Sequence, residues 1–505
     1  MKNVLKGIEP ERVLYFFEEM SNIVRGSSYE KPMSDYLVAF AKERGYEVFQ
    51  DRLYNVFIKV PGAAGGENAK PVVLHGHMDM VWNVADGVSH DFFKEPLDLY
   101  IEDGYLKARG TTLGADNGIG VAYMMALMDT DKITHPPLEC VITVMEEMGK
   151  KGLQIYDTSK ITAKRMIDFN WIDDKQILAG CSGDVSLKLS VPAAWEAAPA
   201  GVKAVSIQLS GVKGGHCEWD IHAERANGII LMARLLDTLL KKYDIRVAKF
   251  DGGVQNNVIP AVASSEILVS TNDQAAVLEL IQKETANYKK EFEVADPGLT
   301  LQATASDKTP DKVMGKTAAK QLVKLVHLMP NGVLSVNLKV ANMKQQPFSE
   351  VVNSCGGYPT ETNNNLGILR TEGDEVWMIT TITCAVTSRK DDVVDKIKTL
   401  AELVGAGTKV EAFGVDAPEF PYDPNSEMVR LAEEIYKQSY GYEPQREVNC
   451  CSLQLGMLIM KCGLDCVGIG TEIHGVHAAG EKMSLESVAK TWKFVQNFMI
   501  KLSQV

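Results

Sequence analysis

The chain has no excess of basic charge: 53 lysines and arginines stand against 66 aspartates and glutamates, a formal charge of −13. Nucleic-acid-binding domains usually carry a basic face or stripe, so no nucleic-acid partner is expected. No apolar run approaches the ~20 residues that span a bilayer, and no membrane association is expected either. The opening segment, MKNVLKGIEPERVLYFFEEM, lacks a continuous apolar core and a small-residue cleavage site, which predicts a cytoplasmic protein without a secretory signal. Nine cysteines are scattered along the chain, an odd number that excludes a disulfide framework and predicts reduced thiols. Cys462 and Cys466 are spaced C-x₃-C but have no second ligand pair beside them, so they are not read as a zinc site.

What is present fits a globular enzyme of several domains. A chain of 505 residues is too long for one apolar core. The spacing predicts helices over Arg12–Val24 and Ser34–Arg44, a hairpin of Glu47–Asp51 with Asn55–Val60, and a buried strand from Pro71 to Val81. Strands alternating with helices continue to about residue 190, the pattern of a layered α/β domain. From about 191 the texture changes to short alternating strands (Ala204–Ser210, Glu266–Val269, Val376–Cys384) and amphipathic helices (Asn227–Tyr243, Gln274–Lys290). This reads as an inserted α+β domain over 191–417, after which 418–505 returns to the α/β pattern.

Four segments carry candidate chemistry. In Val72-Val-Leu-His-Gly-His-Met-Asp-Met80, alternation on a strand puts His75, His77 and Asp79 on one face. A nearby carboxylate can take a histidine ring N–H and fix the tautomer that binds metal; alone, the pattern also fits a self-satisfied polar cluster. Asp116, in the glycine-rich Thr112–Gly120 turn before a helix, is either an N-cap or a ligand. Glu146 and Glu147 follow a buried strand, Leu138–Val144, and adjacent carboxylates are costly to crowd without a cation. Ligands gather at the C-terminal edge of such sheets. The last segment, Gly468–His477, returns histidines to a loop after a strand. Histidine, aspartate and glutamate on converging loops form a donor set for zinc or a related divalent ion.

The order H-M-D, L-G-A-D-N-G-I-G, E-E-x-G, G-G-H and a C-terminal H resembles the co-catalytic di-zinc exopeptidases, in particular their aminoacyl-histidine dipeptidase branch. GGVQNNVIP (252–260), HLMPNGVLSV (327–336), TETNNNLGIL (360–369) and LAELVGAGTKVEAFG (400–414) extend the resemblance along nearly the whole chain. It implies a three-layer α/β catalytic domain with a large inserted α+β lid, and hydrolysis of dipeptides, Xaa-His-like or non-specific, by a metal-activated water. It implies two divalent metal ions, zinc with manganese or cobalt as alternatives, held by His77, Asp116, Glu147, His477 and a residue at position 170. Glu146 is implied as general base, Asp79 as the residue that orients His77, and His216 as the lid residue that stabilises the oxyanion. Asn257, Arg225 and Gln454 are implied to meet a small peptide substrate, and the lid to support a homodimer.

The sequence departs from the pattern at several positions. Asn170 stands where the family has an aspartate ligand, with Asp168 two residues earlier on the same strand face as a substitute. A neutral ligand compensates less metal charge, so one ion is expected to bind weakly. Cys450 and Gln454 stand where the family has His and Glu, and His75 where Gln is common; His75 is read either as a neutral hydrogen-bond partner or as part of an altered metal shell. Two alternatives follow: an amidohydrolase for another small amide, or a non-catalytic descendant with an impaired metal site.

Overall fold

The computed structural model describes residues 3–306, 308–336, 351–352, 360–405 and 407–505. The first helices form at Glu11–Met20 and Lys31–Glu43, and the hairpin pairs Glu47–Gln50 with Val56–Val60 in antiparallel register. The strand expected over Pro71–Val81 is shorter, Val72–His77. Its last residue, His77, already stands at the open edge, and Met78 to Met80 leave the sheet.

Parallel pairing places Val72–His77 at the centre, between Leu138–Thr143 and Arg165–Trp171. Asp465–Gly470 then pairs with Arg165–Trp171, and Gln445–Ser452 with the first half of Gln176–Pro192. The central strands are buried on both faces, and alternate side chains enter different cores. Val72 and Leu74 pack into one apolar cluster with the helices Ala115–Met128 and Leu485–Leu502. Val73 packs into the opposite cluster with the helix Leu455–Cys462. Leu138 and Ile142 repeat this division against Val141, as Ile167 does against Met166. The result is a sheet between two helical layers, the three-layer α/β arrangement.

Gln176–Pro192 is a 17-residue strand that serves two sheets. Its first part pairs with Gln445–Ser452; from Gly183 to Pro192 it pairs with Glu375–Cys384 and Lys409–Ala417. A second antiparallel sheet continues through Thr360–Glu372, Arg246–Gly253, Ala263–Ser270, Val202–Ser210 and Thr300–Ser306. The helices Gly228–Lys242, Gln274–Glu291, Lys316–Leu328 and Thr387–Val404 supply Leu235, Ile281, Val323 and Ile397 to a separate core over this sheet. No helix of the described residues is long and apolar enough to cross a membrane.

Candidate active site

The strand ends and the loops after them converge on His77. This ring is fully buried, with Nε2 3.1 Å from Asp116 Oδ1 and Nδ1 3.2 Å from the Asp79 carbonyl and 3.4 Å from its Oδ1. One nitrogen faces the loop that carries Asp116, and the other is occupied by Asp79. On the far side of Asp116, Oδ2 lies 3.5 Å from His477 Nε2, which in turn lies 2.9 Å from Glu147 Oε1. His77, Asp116 and Glu147 each offer a ligand atom, and these atoms lie within 4.8 Å of one another.

Asp79 organises more than its histidine. Fully buried, it accepts the backbone N–H groups of Glu146 (3.2 Å) and Glu147 (3.3 Å) and the Ser27 hydroxyl (2.8 Å). The two adjacent carboxylates after the Leu138–Thr143 strand are therefore positioned through their amides, by the same group that holds His77. Glu30 fixes the preceding turn by accepting the Met145 N–H at 2.9 Å.

Asp116 is not an N-cap. The helix Ala115–Met128 begins on Gly114, and Asp116 has extended angles (φ −79°, ψ 110°) inside its first turn. The departure is held from both sides. Glu481, buried, accepts the N–H groups of Leu113, Gly114, Ala115 and Asp116 at 2.8, 2.8, 2.9 and 3.3 Å. The buried Arg25 guanidinium donates to the Gly114 carbonyl at 2.8 Å. Neither residue belongs to the sequence-level site; the only signal was the position of Glu481 four residues after His477.

The electrostatics are those of carboxylates sharing too few cations. Burial opposes charge on His77, but hydrogen bonds to Asp116 and Asp79 outweigh it and hold the ring well above its usual value. His477 is raised to about 10 by Asp116 and Glu147. Burial pushes Glu147 up to about 7 against the pull of His477, and raises Glu146 as well. Asp116 lies well below the carboxylate range, because both histidines overcome its burial. Glu147 Oε1 is buried without a well-directed hydrogen bond, although His477 stands beside it. A divalent cation would meet that atom and replace the protons that now neutralise the centre. The donor set of imidazoles and carboxylates fits zinc or a neighbouring transition metal.

The other sequence-level candidates divide into two groups. Asn170 lies half-buried near the end of Arg165–Trp171, its backbone N–H donating to Asp168 Oδ2 at 3.3 Å. Asp168 is itself committed: it stands opposite His75 in the strand register and 2.5 Å from its Nδ1, with both side chains fully buried. Thr143 Oγ1 lies 3.5 Å from His75 Nε2 and 2.9 Å from Gln454 Nε2. His75, Asp168, Thr143 and Gln454 thus form one polar network beneath the sheet edge. That network favours the hydrogen-bond reading of His75, and it binds Asp168 away from the role of substitute ligand.

The second group lies in the inserted segment. The Asp220 carboxylate accepts the His216 N–H at 2.9 Å and meets Arg225 Nη2 at 3.0 Å. Arg225 Nη1 also donates to the Gly214 carbonyl at 2.5 Å. Arg225 is therefore a brace of the His216 loop. His216 Nδ1 accepts the Glu218 N–H at 3.2 Å, which leaves the ring proton on Nε2 in the neutral form. Burial lowers the pKa of this ring, so the neutral donor is its resting state. Asn257 is exposed, and its carbonyl accepts the Cys217 N–H at 2.9 Å. Cys450 is disulfide-bonded, which corrects the expectation of reduced thiols throughout; its Sγ lies 3.3 Å from the Glu218 carbonyl.

A metal-ready centre at the C-terminal edge of a three-layer α/β sheet, with a lid segment inserted beyond it, defines a class of hydrolase. The chain belongs to Peptidase family M20/M25/M40, whose pattern matches residues 73–501. It is 31% identical over 504 residues to the cytosol non-specific dipeptidase of Escherichia coli strain K12, covering 98% of each chain. Its fold matches the crystal structure of aminoacylhistidine dipeptidase from Vibrio alginolyticus with a TM-score of 0.83 at 28% identity, covering 98% of this chain and 97% of that one. The aminopeptidase PepT of Bacillus cereus shares the fold at a TM-score of 0.55 and 16% identity, over 98% and 99% of the two chains.

Proposed function

We propose that the chain is a metal-dependent dipeptidase in which Glu146 moves the proton and His216 receives the developing oxyanion. The observation that carries this reading is the joint placement by Asp79 of the metal-facing His77 and of the Glu146–Glu147 pair. Two divalent ions, zinc in first place, would be held by His77, Asp116, Glu147, His477 and Asn170. When bound, such ions lower the pKa of a water and polarise the scissile carbonyl.

The protein supplies the rest. Burial raises the Glu146 carboxyl, towards the range where a general base can accept a proton and later return it to the leaving amine. His216, neutral and with its proton on Nε2, offers an N–H to an oxyanion once the lid segment approaches. Arg225 and Asp220 hold that loop in place. Asn257 and Gln454 stand as substrate-side candidates; Gln454, buried and bonded to Thr143, brings no charge.

The division into 1–190, 191–417 and 418–505 is part of this proposal. Support comes from the separate apolar cores on either side of the strand Gln176–Pro192; part of 191–417 lies outside the described residues. A cytoplasmic setting and a homodimer formed through the lid complete it.

The test is release of free amino acids from unblocked dipeptides by the wild type and Glu146→Gln. Loss of a general base removes about 10²–10⁴-fold of rate, with bound metal unchanged. Hydrolysis of N-acyl amino acids in preference to free dipeptides would instead favour an amidohydrolase. The observation behind that alternative is Gln454, which is neutral and offers a substrate ammonium no opposite charge.

A further inference from the structure

A second group of metal-ligating side chains lies outside the centre just described. His216, Glu218 and Cys451 each present one donor atom, and the three atoms lie within 4.8 Å of one another. Two come from the lid segment and the third from within the catalytic strand Gln445–Ser452, which pairs with Gln176–Pro192, so the cluster joins the inserted segment to the catalytic sheet. Cys451 is buried, and Glu218 Oε1 is held by the Thr383 hydroxyl at 3.0 Å. The neighbouring cation, Lys150, is already matched by Asp184 at 2.8 Å.

We propose that His216, Glu218 and Cys451 form a third cation site for a thiophilic divalent ion such as zinc or cadmium. The donors are the nitrogen, oxygen and sulfur that zinc takes, at about 2.0–2.3 Å each. Tetrahedral ligands at those lengths stand about 3.6 Å apart, so closing the present spacing needs side-chain movements of roughly 1 Å. Binding replaces the Cys451 thiol proton, which is released to solvent, and solvent completes the coordination. The ion would join the lid to the catalytic segment and take the His216 ring out of service. Excess metal therefore inhibits the enzyme that lower metal activates; this consequence, unlike the site itself, rests on the dipeptidase reading.

Cobalt titrated into the full-length protein tests the site directly. The proposed catalytic ligands include no sulfur, so a near-ultraviolet thiolate-to-cobalt charge-transfer band reports only a cysteine-bound ion. The band is expected to saturate at one ion per chain, to vanish in Cys451→Ser and to need at least tenfold more cobalt in Glu218→Gln. Excess zinc is expected to inhibit the wild type and to spare Cys451→Ser. Absence of the band, or its persistence unchanged in Cys451→Ser, overturns the third site whatever the activity. Absence of hydrolysis with the band intact overturns the dipeptidase reading and leaves the site standing.

Discussion

Glu481 satisfies four successive amides leading to Asp116, a proposed metal ligand, so its charge is better measured by what it does to Asp116 than by its own burial. Glu481→Gln keeps the shape, removes the charge and turns one acceptor into a donor facing N–H groups. A buried unsatisfied group of this kind costs about 1–3 kcal/mol. The expected outcome is a fall in thermal stability with a larger fall in kcat than in KM, read by calorimetry and steady-state kinetics. Equal kinetics in wild type and variant would show that the Asp116 loop holds itself. At this scale the sequence pattern singled out His77, Asp79, Asp116, Glu146, Glu147 and His477 as candidates, because each sits at the end of a strand or in a turn whose signal is local, and the structure brings them together at one sheet edge; their roles belong to the proposal. Glu481 and Arg25 were hidden, since they act on backbone groups and nothing in a sequence shows which amides a carboxylate will meet. His75 and Asp168 became interpretable only when the parallel register placed them opposite each other.

The elements that matter for chemistry are short and strained rather than long and regular. Gly215 has φ +128°, a conformation that side chains other than glycine rarely adopt, and an added Cβ would stand 2.5 Å from Asp220 Oδ2. Gly215→Ala should displace the His216 loop, lowering kcat about 10-fold or more, in keeping with the loss of an aimed oxyanion donor. Metal content by elemental analysis should not change; a loss of metal instead would place this loop in the first ligand sphere. Periodicity identified the helices Gly228–Lys242 and Gln274–Glu291 closely, since their apolar faces are sustained over several turns. It overextended the strand after Pro71, because Met78 and Met80 are buried although they lie past the last residue of the sheet. It left Asp116 open between an N-cap and a ligand, and the structure rules out the N-cap: the helix begins on Gly114 and Asp116 is extended within the first turn.

For the molecule as a whole, the centre makes metal-free stability depend on pH. His477 rises from an ordinary 6.5 to about 10, and Glu147 from 4.5 to about 7. Both hold more protons folded than unfolded within those windows, so each loses stability as pH rises, Glu147 across 4.5–7 and His477 across 6.5–10. Metal binding displaces the same protons and gains strength in the same direction. The gap in melting temperature between metal-loaded and chelated protein should therefore widen from pH 6 to pH 9; a gap that narrows would contradict the assignment of His477 and Glu147 as ligands. The layered catalytic fold and the inserted segment were legible from strand–helix alternation and its change near residue 190. The long shared strand Gln176–Pro192 was not, because continuous apolar alternation gives no sign that a strand changes partners halfway.

The measurement that bears most directly on the account is the metal stoichiometry of the purified chain and of Asn170→Asp, by elemental analysis after dialysis, with dipeptide hydrolysis followed on the same samples. The account predicts one firmly held ion and one readily lost ion in the wild type. Activity should return when zinc, manganese or cobalt is restored, and in Asn170→Asp the second ion should be retained. A chain that binds no metal at any loading, hydrolyses no dipeptide and is unaltered by Asn170→Asp would contradict it.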